Sequence, residues 1–88
     1  PTLRAQIDRI DRELVTLIAE RTGYIARAAE IKQQRSQVHD DARIEDVVAK
    51  VCVAARQHGI PAALVEPVWR TLIAQSIAYE FARFDKRA

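Results

Sequence analysis

Arg21 stands where an apolar residue belongs. Apolar side chains recur in steps of three and four at Leu3, Ile7, Ile10, Leu14 and Leu17, and again at Tyr24, Ala28 and Ile31. That is the spacing of the buried seam of a long helix, and position 21 is its next slot. Lys32 follows eleven residues later, three turns and about 20° of rotation on, so the two cations point the same way about 16 Å apart. Ser76 and Glu80 fall on a second apolar stripe, made by Trp69, Leu72 and Ile73. A carboxyl on such a stripe either pairs with a cation or is driven toward its neutral form by desolvation. Asp40 and Arg43 stand at the start of a further helix. Arg4 lies about 25 Å before Arg21 along the axis, so it reaches the far end of the same pocket only from an antiparallel second copy.

Taken singly, each residue has a plainer reading. Arg21 and Glu80 make one structural ion pair, Ser76 bonds back to its own helix, and Lys32 is a solvated lysine set against the helix dipole. Together they would leave a buried polar cavity, which is costly in a small domain. The combination points to a cationic, water-poor pocket for a small dianion with one carboxyl beside it. No nucleophile with an adjacent base and no Gly-rich phosphate loop is present. Any chemistry at this pocket has to work by positioning and charge stabilisation.

Only two Gly and three Pro stand among abundant Ala, Leu, Ile, Glu and Arg, which favours helices throughout, so the expected fold is all-α with three helices. The first runs from Leu3 to about Gln34 with Thr2 as its N-cap, and Gly23 within it offers close approach to another backbone. A helix of that length, about 45–50 Å, exceeds what one small chain can cover, and its seam has the coiled-coil period. A homodimer packed along this helix is the natural inference. The second helix, capped by Asp40 or Asp41, carries Ile44, Val47, Val48, Val51 and Ala55 on one face and ends at Gly59. The third begins near Pro61 and shows Val65, Val68, Trp69, Leu72, Ile73, Ile77, Phe81 and Phe84 at helical spacing. Pro67 is expected to bend it or delay its regular start.

The 88 residues form one domain, 1–88, with 49% apolar and 30% charged content and a net charge of +2. That charge is weak and interleaved, which argues against nucleic acid as a partner. The single cysteine, Cys52, excludes an internal disulfide framework. His39 and His58 have no ligand-spaced companions, so neither zinc nor any other metal or cofactor is expected. There is no membrane-length apolar run and no signal-peptide pattern, which makes the cytoplasm the default location.

The stretch LRAQIDRIDRELVTLIAERTGYIARAAEIK resembles the first helix of the all-helical chorismate mutase family, with Arg4, Arg21 and Lys32 on its three cationic positions without a gap. The likeness continues through VHDDARIEDVV and LIAQSIAYEF. It implies an intertwined three-helix homodimer in which Arg4 crosses to the other subunit's site. Arg21 and that Arg4 would bind the two carboxylates of chorismate, and Lys32 would reach a carboxylate and the ether oxygen. By the same likeness Arg43 assists, Asp40 meets the ring hydroxyl, Ser76 lies near the ring carboxylate, and Glu80 is the second group at the ether oxygen. Many bacterial members have Gln where this chain has Glu80, so Glu80 is expected to act as a neutral acid. Many have Glu where this chain has Ile44. An apolar residue there resembles the sister enzyme, isochorismate–pyruvate lyase, whereas a shift of one residue would put Glu45 in that role. Chorismate mutase is the leading expectation; the lyase and a non-catalytic helical dimer are the alternatives.

Overall fold

The computed structural model describes residues 2–87, which form three helices and, among the described residues, no strand. Helix α1 spans Leu3–Ile31, α2 Asp41–Gln57 and α3 Ala62–Lys86, with a single 3-10 turn at Arg35–Gln37 between the first two. Thr2 caps α1 as the sequence suggests, its hydroxyl accepting from Ala5 N at 3.1 Å. Asp40, not Asp41, caps α2, accepting from Arg43 N at 3.0 Å. That choice fixes the register of every later residue in α2.

Two expectations at the ends are corrected. Helix α1 stops at Ile31 rather than Gln34, with Lys32 already extended. The reason is local competition: Gln37 Oε1 accepts from both Gln33 N and Gln34 N, each at 3.0 Å, and those donors would otherwise have continued the helix. Pro67 does not delay α3, which is regular from Ala62 through it. The proline forfeits one backbone bond in the second turn, and Thr71 Oγ1 donates to its carbonyl at 3.0 Å.

The α2–α3 turn follows its sequence signal. Gly59 takes φ +74°, and Ile60 N and Gly59 N donate back to Ala55 O and Arg56 O at 3.0 and 3.1 Å. This is a Schellman cap, which needs the left-handed conformation that glycine adopts without cost. Pro61 is the residue just before α3 rather than its first member.

Helix α3 packs against both α1 and α2. The core lies between α2 and α3, where Val48, Cys52 and Ile73 are buried against Ile44, Val47, Ala62, Trp69 and Ile77. The N-terminal half of α1 has no such cover. Leu3 is 84% exposed, Leu17 is 59% exposed, and Ile7, Ile10 and Leu14 between them are exposed as well. The radius of gyration is 15.4 Å, against about 12 Å for a compact chain of this length. Among the described residues, nothing lies within 4 Å of where a Cβ at Gly23 would stand, so the expected close approach of another backbone is not made there. No helix among the described residues is long and apolar enough to cross a membrane.

On the outer face, Arg70 ties α2 to α3, donating to both oxygens of Glu45 at 2.9 Å and to Glu66 at 3.0 Å. The Arg70 hydrogen bonds hold the Glu45 carboxyl below its usual range, and Lys50 and then Arg43 do the same for Asp46. Carboxyls depressed on folding contribute stability that is present above their unfolded pKa values and lost as pH falls through the folded ones. Thermal unfolding temperatures should therefore drop as pH falls below about 4. Arg70→Ala should lower the melting temperature at pH 7 and flatten that acid limb, which melting curves across pH 2–7 would check.

Candidate active site

A cleft of about 400 Å³ opens where the three helices meet, within the range of small-molecule sites. Helix α1 contributes Arg21, Ile25, Ala28 and Lys32, which share one face because they step by four, three and four. Helix α3 contributes Ile73, Ser76, Ile77 and Glu80 by the same logic, and α2 adds Arg43, Ile44 and Val47. The loop closes the end with Gln37, Val38 and Asp40. Polar groups thus sit in a frame of branched aliphatic side chains.

Arg21 Nη1 donates to Ser76 Oγ at 2.7 Å, and Ser76 Oγ donates in turn to Leu72 O at 2.7 Å. Ser76 is therefore both the helix-bonded serine of the plain reading and a prop for Arg21. Partial burial, and then the positive charge of Arg43, lower the Arg21 pKa. Among the described residues no carboxylate pairs with Arg21. Two guanidinium groups that repel each other across one cleft form a site complementary to an anion.

Glu80 is only 4% exposed, and its partner is Lys32, whose Nζ lies 2.6 Å from Glu80 Oε2. This overturns the Arg21–Glu80 ion pair and also the solvated Lys32. Lys32 is the C-cap of α1 and keeps a helical φ of −61°, so its side chain stays on the Arg21 face and enters the cleft. One end of the cleft thus has a guanidinium with no acid, and the other an ammonium already on a carboxylate.

The register at α2 is equally definite. With Asp40 as N-cap, Arg43 is the third helical residue and Ile44 the fourth, facing the cleft. Glu45 points to the outer face and is held by Arg70. The alternative that placed Glu45 inside is therefore corrected. Asp40 lines the cleft while Oδ1 is engaged by the Arg43 backbone, and the Arg43 side chain reaches Asp46 at 2.8 Å. Arg4, in the exposed first turn of α1, is not brought to this cleft by its own chain. Gln37 and Val38 were missed from the sequence, since they sit in a loop where no periodicity marks them.

The profile of the family described as chorismate mutase type II matches residues 3–81. The chain belongs to this family. Every residue of the cleft lies within the match, as does Arg4. No curated protein matches the chain. Within this type II chorismate mutase domain, the cleft has Glu80 paired with Lys32 and the apolar Ile44 in its wall.

Proposed function

We propose that the protein is a chorismate mutase, an isomerase converting chorismate to prephenate by a [3,3] rearrangement without a cofactor. The supporting observation is the cleft's Arg21, propped by Ser76 and free of any carboxylate among the described residues, on the same helix face as Lys32. In the reaction the ether C–O bond breaks as a C–C bond forms between the side chain and the ring, within one molecule. Arg21, with Arg43 nearby, holds carboxylate of the dianion and favours the folded-over geometry in which the two carbons meet. Lys32 donates to the ether oxygen, which gains negative charge only as its bond breaks, so that contact stabilises the transition state beyond the substrate. Glu80, in its neutral form, is the second donor there. Asp40 meets the ring hydroxyl.

The working unit in this reading is a homodimer. The exposed seam from Leu3 to Leu17 gives a second copy its contact surface, and Arg4 of that copy completes the site. Arg4→Ala and Arg21→Ala should each be inactive alone. Mixed by unfolding and refolding together they should recover about a quarter of wild-type activity, since half the dimers are mixed and each of those has one intact site of two. No recovery on mixing would show that Arg4 does not act across the interface.

A second reading has one observation in its favour. Ile44 in the cleft wall, with Glu45 turned away, gives a ring hydroxyl at that wall no acceptor. This suits isochorismate–pyruvate lyase chemistry, in which the ether C–O bond breaks while a ring hydrogen passes to the methylene carbon, so that pyruvate leaves and the ring becomes aromatic salicylate. The deciding experiment offers the purified protein chorismate and isochorismate separately, following prephenate from the first and salicylate plus pyruvate from the second. Turnover of chorismate carries the proposal; salicylate alone replaces it with the lyase.

A further inference from the structure

The end of α1 is made by parts that do not belong to α1. If the helix ran on, Gln33 N would donate to Ala29 O and Gln34 N to Glu30 O. Both donors are taken by Gln37 Oε1. The freed carbonyls are taken from the other side by Arg87, whose Nη1 donates to Ala29 O at 3.0 Å, more weakly to Glu30 O at 3.4 Å, and to Lys32 O. The Arg87 guanidinium lies 3.7 Å from the centroid of the Phe84 ring, which braces it. Helix α1 has no basic residue in its own last turn, so the cation that complements its negative end comes from the far end of α3. A second tie runs beside the first: Arg35 grips Asp85 through Nε at 2.9 Å and Nη2 at 3.3 Å, over the Phe81 ring.

What this junction holds is Lys32. The residues after it, Gln-Gln-Arg-Ser-Gln, include good helix formers, and propensity alone would carry α1 further. Lys32 keeps a helical φ of −61° and leaves the helix only through its ψ of 136°, so its side chain still rises from the face of Arg21 and Ala28 while its carbonyl turns to Arg87. We infer that Arg87 is a positioning residue: by taking the carbonyls of Ala29, Glu30 and Lys32 from the end of α3 it clamps the two helix ends together and keeps the Lys32 ammonium on Glu80 of α3. Arg87 and Asp85 lie beyond the 3–81 stretch that matches the family, so this brace is not part of the matched pattern. The inference rests on the proposed function only for its effect on rate; its effect on Lys32 is independent of any substrate.

Arg87→Ala, Arg87→Lys and Arg83→Ala test it, with backbone NMR shifts of Lys32–Gln34 and steady-state kinetics on chorismate as the two readouts. In Arg87→Ala the Lys32 shifts should leave the extended range. Its kcat should fall by about ten- to a hundredfold with little change in KM, because Arg21 still holds the substrate. Arg87→Lys should recover part of both effects, since an ammonium can also take carbonyls. Arg83→Ala removes a neighbouring charge from the same turn and should change neither. Wild-type kcat in Arg87→Ala, a loss of kcat with Lys32 shifts unmoved, or an equal effect from Arg83→Ala would each overturn the assignment. If the wild-type protein leaves chorismate untouched, the functional reading fails and the shift comparison still decides the role of Arg87.

Discussion

Lys32→Ala should lose about 10²- to 10³-fold in kcat on chorismate, the usual effect of removing one donor aimed at a developing oxyanion. The fold should survive. Lys32 is the partner of a buried carboxylate, so its removal also has a structural cost. That cost is moderated because the Lys32 side chain is 30% exposed, so water reaches the place the ammonium leaves. A loss of about 1–3 kcal/mol of stability is the scale for a charged hydrogen bond. Lys32→Arg separates the two roles. A guanidinium can still pair with Glu80 and keep the melting temperature, but its planar fork cannot put a donor where the ammonium stood, so kcat should stay low. Full activity in Lys32→Ala would mean that Lys32 gives the ether oxygen nothing and serves only as the partner of the buried Glu80.

Much of this site was legible in the sequence because helical spacing is a strong geometric constraint. Arg21 with Lys32, and Ser76 with Glu80, had to share faces once α1 and α3 were helices. The same holds for the caps at Thr2, Asp40 and Gly59, whose side-chain or φ requirements are local. What was not legible depends on contacts between distant segments. The stop of α1 at Ile31 follows from Gln37 and Arg87, and no local pattern announces that α3 will supply a cap to α1. The partner of Glu80 was not legible either: Arg21 and Lys32 share a face however α1 ends, and only the packing of α3 on α1 decides which of the two cations stands on Glu80. The choice between Ile44 and Glu45 turned on a single residue, since a shift of one along α2 turns its face by 100°. Only the packing that puts Ile44 in the cleft and Glu45 on Arg70 decides it.

Glu80 carries the second large effect, and it is an effect of pH. Among the described residues, the charged groups that share its cleft are Arg21 from α1, Lys32 at the α1 C-cap, Asp40 from the loop and Arg43 from α2, with Gln37 in the loop and Ser76 one turn back on its own helix. In the unliganded cleft Glu80 accepts from Lys32. At the transition state that ammonium is needed by the ether oxygen, and an ionised carboxylate left beside the same oxygen would repel the charge growing there. Protonated, the carboxyl becomes a donor to it. Wild-type kcat on chorismate should therefore climb as pH is lowered, as long as the fold holds. Glu80→Gln donates at every pH, so its rate should be nearly independent of pH and should exceed wild type by tenfold or more near pH 8, on the scale of one general-acid contact of about 10²-fold. Circular dichroism at each pH separates this from acid unfolding through Glu45 and Asp46, which acts in the opposite direction on activity. A Glu80→Gln profile that follows the wild-type curve would mean the carboxyl never donates to the ether oxygen, and would return the whole demand for charge stabilisation there to Lys32.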